Sequence, residues 1–292
     1  MSLVSFVRVP SSDDELLKKA IKESLDLVNF NLNRTVRKIV IKPNICYYYH
    51  PSTGEVTDPH FVGALIDVFR ENLTGPCEVS VVESDASAMK CKYAFKMLEY
   101  DKMAREKGVE LVNLAEKKSK AVEAEIHGSK YTFHIPEIFF EADLVVNVPK
   151  PKYMKTPKVS CALKNFYGCN AYQKKSIYHK VLEEAIVFIN KQIRTDLVVF
   201  DGLIVVGRHT KRLNMVMSSE NPVAADAAAS TLMGISPASV RQIVLASKEG
   251  IGKMGFSPVG DFSYFKKNFP RRVLRDKMRS KVASIYLRMF GA

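Results

Sequence analysis

The sequence predicts an α/β protein with a largely parallel β-sheet flanked by helices, in one or two lobes. Short apolar segments typical of buried strands alternate along the chain with segments whose apolar residues recur every three or four positions, as in amphipathic helices. The 292 residues are 47% hydrophobic, which is enough to bury a large core. Glycine and proline separate many of these segments, as expected for turns between regular elements.

In the first half of the chain, the helices have local boundary signals. Ser12 or Asp13 can cap the first helix, whose apolar residues lie on one side. Asp58 followed by Pro59 is a typical helix start, because aspartate favours the N-cap and proline the first helical position. Gly108 ends the last helix of this half. The predicted elements are a strand at 2–9, a helix from 12 or 13 to about 28, a strand at 37–41, a helix at 59–71, a strand at 78–82 and a helix at 92–107.

The second half continues the alternation after a hairpin. His127-Gly128-Ser129 joins two segments of alternating polarity, which is typical of a β-hairpin. Asn221-Pro222 and Ser236-Pro237 each start a helix. The predicted elements are hairpin strands at 121–127 and 130–135, a strand at 144–148, a helix near 179–192, a strand at 196–200 and helices at 221–233 and 236–247.

Composition and motifs exclude several classes of protein. No apolar run approaches the roughly 20 residues that cross a bilayer, and the first residues lack the pattern of a signal peptide. The five cysteines form no C-x-x-C pair, which argues for a reducing cytoplasm and against a zinc ribbon or iron–sulfur cluster. Cys161 and Cys169 are interpreted as packed thiols, with a metal site as the weaker alternative. We therefore expect a cytoplasmic protein without an iron–sulfur cluster.

Known nucleotide and hydrolase motifs are absent from the sequence. It contains neither a Walker P-loop nor a G-x-S-x-G elbow. Gly250-x-Gly252-x-x-Gly255 resembles a dinucleotide-binding motif, but it follows the end of a helix instead of a strand. It is interpreted as a flexible turn.

Positive charge is concentrated near the C-terminus. The net charge is +13, of which residues 261–292 carry +7. We therefore divide the chain into an α/β domain over 1–260 and a basic tail over 261–292. Such a tail could bind an anionic membrane or nucleic acid, or pack on its own domain and expose its arginines to solvent. Its apolar residues predict an amphipathic helix after Pro270, and they are Leu274, Met278, Val282, Ile285 and Met289.

A second basic region lies between Asp143 and Glu183, where the chain has eight lysines and no acidic residue. Mutual repulsion among so many cations is costly unless something anionic lies among them. The region therefore predicts a pocket for a phosphorylated or polycarboxylate ligand, with a solvated basic surface as the alternative. The lysines are Lys150, Lys152, Lys155, Lys158, Lys164, Lys174, Lys175 and Lys180.

Charged or amide residues follow four of the predicted strands directly. The carboxyl ends of parallel strands meet at one edge of a sheet, where α/β proteins build their sites. We therefore expect these residues to share one site. They are Lys42-Pro43-Asn44, Glu83-Ser84-Asp85, Lys150-Pro151-Lys152 and Asp201-Gly202.

The same residues, in this order, resemble the family known as domain of unknown function 362. The resemblance covers roughly residues 3–250 and implies the fold and a shared site, but no reaction, because the family has no established activity. Many relatives carry a ferredoxin-like cluster segment that this sequence lacks, and Lys155-Thr156 stands where a histidine is common. A more distant similarity to the nickel-pincer lactate racemases brings no cofactor motif into this sequence. The matching motifs are Lys42-Pro43-Asn44, Glu83-Ser84, Asn147-Val148-Pro149-Lys150 with Lys152, Lys164-Asn165 with Gly168, Asp201-Gly202 and residues 221–234.

The chemistry of these side chains suggests individual roles. The catalytic candidates are Glu83, Lys150, Lys164 and Asp201. Crowding lowers lysine pKa values, so one lysine could act as a base or Schiff-base nucleophile, although lysines that only bind are the simpler interpretation. If the carboxylates of Glu83 and Asp201 converge, they could act as general acid and base or hold a divalent cation such as magnesium. The ligand-binding candidates are Lys42, Asn44, Ser84, Asn147, Lys152, Lys155, Asn165, Gly168, His179 and Asp226.

Asp226 lies in an apolar helix, where an unpaired charge is expensive. Two interpretations stay open for it, a pair with one of the lysines or an early-helix acid favoured by the helix dipole.

Two classes of function fit the sequence. The first is an enzyme or binding protein that acts on an anionic small molecule at the carboxyl edge of the sheet. The second is a nucleic-acid or membrane-surface binder that uses residues 150–180 and the basic tail, with aromatic side chains that stack on bases. We favour the first, because the lysine-rich region lacks arginine and no nucleic-acid fold signature is present. In that class, Lys164→Ala and Asp201→Asn are each expected to abolish ligand binding with the fold intact.

Overall fold

The computed structural model describes residues 1–10, 13–32 and 35–272. Ser12 and the predicted tail helix with Leu274, Met278, Val282, Ile285 and Met289 lie outside the described residues. The strands are β1 (Ser2–Arg8), β2 (Lys38–Pro43), β3 (Glu78–Glu83), β4 (Glu110–Asn113), β5 (Ser119–Ile126), β6 (Ser129–Pro136), β7 (Leu144–Val148), β8 (Lys152–Tyr153), β9 (Val159–Ser160), β10 (Leu197–Val206), β11 (Thr210–Ser219) and β12 (Phe256–Gly260). The helices are α1 (Asp14–Asp26), α2 (Pro59–Asn72), α3 (Cys91–Met97), α4 (Tyr100–Lys107), α5 (Ile138–Glu141), α6 (Ala162–Tyr167), α7 (Leu182–Gln192), α8 (Pro222–Leu232), α9 (Arg241–Lys248) and α10 (Phe262–Asn268).

One large, mostly parallel sheet organises the described residues, which confirms the predicted fold class. Its main strands follow the order β12-β1-β11-β10-β7-β2-β3-β4. In this series β11 runs antiparallel to both of its neighbours, and the other adjacent pairs are parallel. The short strand β8 pairs with the far end of β10 and with β9. The carboxyl ends of β2, β3, β7 and β10 therefore lie at one edge.

Helices cover both faces of this sheet. Successive side chains of a strand point to opposite faces, and in the central strands the apolar side chains of both faces are buried. In β2, Ile39 and Ile41 belong to one apolar core and Val40 to the other. Helices α1 to α4 pack on the face of Ile39, whereas α6 to α9 and the β5–β6 hairpin pack on the face of Val40. Strands with two buried faces explain why the sequence reads as apolar runs.

Local signals in the sequence correctly marked several element boundaries. Asp13 caps α1, with its carboxylate accepting a hydrogen bond from the Leu16 N–H at 3.1 Å. Asp58 caps α2 directly before Pro59. The hairpin turn places His127 at φ 51° and the following glycine at φ 75°, as a two-residue type I′ turn requires.

Three predictions of secondary structure were wrong or incomplete. The predicted helix at 92–107 is broken into α3 and α4, because Glu99 adopts a left-handed conformation with φ 61°. Strand β10 does not end at Asp201-Gly202 but continues to Val206 past an irregularity after Gly202. Strands β4, β8, β9, β11 and β12 were not predicted from the sequence. A 3₁₀ segment, Lys175–Val181, occupies the start of the predicted helix near 179–192.

The first residues of the predicted basic tail pack against the α/β domain. Phe265 of α10 is fully buried in the core that includes α8, and Asp261 pairs with Arg8 at 2.7 Å. The division into 1–260 and 261–292 stays a prediction. Across the described parts of the chain, no helix combines the length and apolar character needed to span a bilayer.

Candidate functional site

A cleft of about 440 Å³ opens between the carboxyl ends of β2 and β3, the β8–β9 hairpin and α6. Nine of the fourteen candidate residues line it, namely Lys42, Asn44, Glu83, Ser84, Lys152, Lys164, Asn165, Gly168 and His179. Much of the remaining wall is apolar and includes Ile45, Ala86, Ala88, Met89, Met154 and Tyr167. The other five candidates do not line the cleft, and they are Asn147, Lys150, Lys155, Asp201 and Asp226.

A buried ion pair forms the floor of the cleft. The Lys42 ammonium lies 2.8 Å from the Glu83 carboxylate, and both side chains are at least 96% buried. The same ammonium donates to the Pro43 carbonyl at 2.7 Å. Glu83 in turn accepts from the backbone N–H groups of Ile45 at 3.1 Å and Ser84 at 2.9 Å. Because each charge is fully engaged, this pair holds the ends of β2 and β3 together.

A chain of three asparagine amides runs from the sheet to the cleft. Asn147 donates through Nδ2 to the Ala162 carbonyl at 2.9 Å, so its Oδ1 must be the acceptor for Asn165 Nδ2 at 2.8 Å. Asn165 Oδ1 then accepts from Asn44 Nδ2 at 3.2 Å. The Ala162 carbonyl, which accepts the first of these hydrogen bonds, thereby fixes the orientation of all three amides. It leaves Asn44 Oδ1 as a buried acceptor without a hydrogen-bond partner in the described structure.

Lys152 lies beside a cysteine in the wall of the cleft. Its ammonium donates to the Glu55 carbonyl at 2.8 Å and lies 3.2 Å from Cys46 Sγ. The Glu55 carboxylate is farther away, at 3.9 Å, and is partly exposed. Lys152 is 4% exposed, so within the described part of the chain a nearly buried cation has one distant carboxylate as its ionic partner.

Lys164 has no hydrogen-bond or ionic partner among the described residues. Burial of its side chain, together with the neighbouring Lys152 ammonium, lowers the pKa of Lys164 to about 8. Burial also lowers the pKa of Lys175 to about 8, with help from the Lys42 ammonium. Lys175 differs in being engaged, since it donates to the Gly168 carbonyl at 3.0 Å and the Asp85 carbonyl at 3.1 Å. Lys164 is therefore the lysine of the cleft that is left to meet a ligand.

The remaining predicted residues take different places around the cleft. Ser84 is buried, and its hydroxyl lies 3.3 Å from the carbonyls of Asp85 and Asn170. A Cβ at Gly168 would lie 3.0 Å from the Asn165 carbonyl oxygen, so glycine permits the close packing there. His179 is exposed at the rim of the cleft.

Lys155 is exposed in the β8–β9 loop, away from the cleft lining.

Lys150 and Asp201 form a second buried ion pair that lies outside the cleft. Their charged atoms are 3.1 Å apart, and both side chains are at least 99% buried. Asp201 also accepts from the backbone N–H groups of Asp58 at 2.9 Å and Leu203 at 3.0 Å. The pair thus ties β10 to the end of β7 and to the first turn of α2. Because this pair lies outside the cleft, Lys150 and Asp201 do not share a site with Lys42 and Glu83.

Asp226 caps another helix and pairs with no lysine of the described residues. Its carboxylate accepts hydrogen bonds from the Ala162 N–H at 2.6 Å and the Leu163 N–H at 3.2 Å, at the start of α6. Complete burial raises the pKa of Asp226 to about 8. Because α6 carries Lys164 and Asn165, Asp226 positions the helix that forms one wall of the cleft.

The two carboxylates that the sequence offered as a metal site do not converge. Strands β7 and β2 separate β10 from β3, which puts Asp201 roughly 14 Å from Glu83 at ordinary strand spacing. In residues 1–10, 13–32 and 35–272, no three histidine, cysteine, aspartate or glutamate side chains are placed to hold a metal ion. Magnesium therefore stays a prediction.

Six polar residues that line the cleft were not among the predicted site residues, and they are Cys46, Glu55, Ser87, Ser160, Lys175 and Ser176. Cys46 and Glu55 lie in the loop after β2, Ser160 ends β9, and Lys175 was noted for its charge alone. Cys46 and Glu55 follow Asn44 in a loop that leaves a strand at the carboxyl edge, and this position could have marked them. Nothing in the sequence distinguishes Lys175 from the seven other lysines of its region.

Comparisons with known proteins give a family match and distant structural likenesses. The family model described as "Domain of unknown function (DUF362)" matches residues 39–231. None of the curated proteins matches the chain. The structure of the lactate racemase apoprotein from Thermoanaerobacterium thermosaccharolyticum is similar, with a TM-score of 0.43 and 11% identity over 80% of this chain. The chain spans 58% of the length of that structure.

Proposed function

The chain belongs to the DUF362 family, and from that premise we propose that it binds or converts an anionic small molecule in the cleft beside α6. The ligand class is a phosphorylated or carboxylated metabolite, bound through Lys164 and Lys152. Asn44 supplies an acceptor for a hydroxyl or amine group of the same ligand. The apolar part of the wall limits access of water to these groups.

The observation that carries this proposal is the unpartnered ammonium of Lys164. A cation in a largely desolvated position is costly unless an anion or a hydrogen-bond acceptor engages it. The described residues supply such partners to Lys42, Lys150 and Lys175 but not to Lys164. An anionic ligand would provide the missing partner, and its binding would gain from the low dielectric of the cleft.

The placement of the lysines favours a small molecule over a nucleic acid or a membrane surface. Lys150, Lys152 and Lys175 are buried, and Lys164 is only partly exposed. Cations that contact phosphates along a nucleic acid must reach the protein surface. Half of the eight lysines in this region therefore contribute little to such a surface.

The test is a thermal shift assay with phosphorylated and polycarboxylate metabolites, with and without magnesium. A ligand at about 100 times its dissociation constant adds roughly 2.7 kcal/mol, which raises the melting midpoint of a chain of this length by roughly 4 °C. Lys164→Met should lose this shift. Lys180→Met is the matched control, because Lys180 is an exposed lysine of the same region and should keep it.

Two results would contradict the proposal. One is an equal ligand shift in the parent protein and Lys164→Met. The other is the absence of any shift together with salt-sensitive binding of RNA or anionic vesicles, which would place the lysines in a surface role.

A further inference from the structure

Lys164 has the properties of a nucleophile as well as those of a cation site. Two lysines of the cleft have a pKa lowered to about 8, so both are partly neutral amines at physiological pH. Lys175 cannot react freely, because its nitrogen is held by two backbone carbonyls. Lys164 has no such partner in residues 1–10, 13–32 and 35–272, and it lines the open cleft. The amines of Lys164 and Lys175 therefore have a similar pKa but differ in their hydrogen bonds.

A second cation stands next to this amine. Lys152 is held in place by the Glu55 carbonyl, and its ammonium acts on the charge of Lys164. A cationic neighbour and a desolvated pocket are the two conditions that keep a lysine amine neutral and reactive. The same neighbour would attract an anionic group of the substrate and so bring its carbonyl to the amine.

We propose that Lys164 forms a covalent imine with an anionic carbonyl compound, such as a 2-oxo acid or a phosphorylated ketone or aldehyde. This inference rests on the proposed function, since the anion must first bind in the same cleft. It adds the reacting group of the substrate and the bond that forms.

The reaction balances without any cofactor. The neutral amine of Lys164 adds to the carbonyl carbon, and one amine proton passes through water to the carbonyl oxygen to give a carbinolamine. A proton from solvent then converts the carbinolamine hydroxyl into a leaving water molecule. The nitrogen lone pair forms the C=N bond as water departs, which leaves a protonated imine on Lys164.

Asn44 fits the intermediate of this reaction. Its Oδ1 is a buried acceptor whose orientation is fixed by the amide chain through Asn165 and Asn147. A free carbonyl compound has no proton to donate to Asn44 Oδ1 from its reacting oxygen, whereas the carbinolamine hydroxyl does. An acceptor of this kind therefore favours the addition product over the unreacted carbonyl.

The experiment is reductive trapping on the full chain. The protein is incubated with pyruvate or glyoxylate and cyanoborohydride, which reduces an imine to a stable secondary amine, and chymotryptic peptides are measured by mass spectrometry. Lys164 should be labelled about tenfold or more above an ordinary surface lysine, because its lowered pKa leaves far more neutral amine. Lys175 and Lys180 are the internal controls, and acetone replaces pyruvate as the uncharged probe.

Lys164→Arg separates this inference from the proposed function. Arginine keeps the positive charge but cannot form an imine, so this variant should retain the thermal shift with anions and lose the trapped adduct. Labelling of Lys164 no stronger than that of Lys180, with anion binding intact, would overturn the imine and leave the binding proposal standing. Absence of both adduct and anion binding would overturn the two together. Equal labelling by pyruvate and acetone would remove the role of the anionic group.

Discussion

Asp201→Asn should destabilise the protein strongly and leave the cleft itself unaltered. The substitution leaves the Lys150 ammonium without its carboxylate partner in a site where both side chains are at least 99% buried. Removing one member of a buried pair costs about 3–5 kcal/mol. At the unfolding entropy expected for this chain length, that lowers the melting midpoint by roughly 5–8 °C. This prediction differs from the expectation drawn from the sequence, that binding disappears and the fold stays intact, because Asp201 does not line the cleft.

A double-mutant cycle isolates the interaction between the two charges. Lys150→Met combined with Asp201→Asn removes both charges, so the double variant should be more stable than the sum of the two single losses predicts. Differential scanning calorimetry of the four proteins gives this coupling. The exposed pair Lys22–Asp26, at 2.7 Å, is the matched control, and Asp26→Asn should change stability by about 0.5 kcal/mol or less. An Asp201→Asn midpoint no lower than that of Asp26→Asn would refute the reasoning.

Three further predictions concern the pH dependence and packing of the cleft. Because the folded pKa of Asp226 is about 8 and its unfolded pKa is about 4, ionisation favours the unfolded state between these values. The melting midpoint should therefore fall as pH rises from 4 to 8, and less steeply in Asp226→Asn; equal slopes in calorimetry would contradict this. Anion affinity should fall about tenfold per pH unit above 8, because Lys164 loses its proton. The affinity of Lys164→Arg should not fall in this way, and titration calorimetry at pH 7 and pH 9 compares the two proteins. Gly168→Ala should cost about 1–3 kcal/mol, because its Cβ would lie 3.0 Å from the Asn165 carbonyl oxygen. Gly255→Ala meets nothing closer than 3.7 Å, and an equal loss of stability in both variants would argue against the packing account.

The sequence predicted the cleft better than it predicted the second ion pair. The residues after β2 and β3 lie together as expected, because these strands are adjacent and parallel and their carboxyl ends meet at the same edge. Asp201 was misplaced because β10 continues past it to pair with β11, and that pairing depends on residues far along the chain. An apolar run shows that a strand is buried, but it does not show with which neighbouring strand it pairs or how far that pairing continues. The motif residues were therefore predictable one by one, whereas their division into two clusters was not.

The hydrogen-bond partners of Asp226 could not be predicted from the sequence of α8 either. An acid near the start of α8 suggests an interaction with the dipole of that helix, yet its carboxylate caps α6, which precedes it by about sixty residues. The contact depends on how α6 and α8 pack on one face of the sheet. Local propensity holds no information about such a contact.

The lysines at the carboxyl edge of the sheet differ in whether a buried carboxylate balances their charge. Lys42 and Lys150 each have a buried carboxylate within about 3 Å, supplied by Glu83 and Asp201, so folding accounts for these four residues as two neutral pairs. No acidic residue that the structure describes pairs with Lys164 in this way. A lysine whose folded pKa is lowered to about 8 from its ordinary value near 10.4 destabilises the folded state at every pH below 8. Methionine would fill the same space without that cost, so the stability of the fold does not explain the amine of Lys164, and the proposed anionic ligand would.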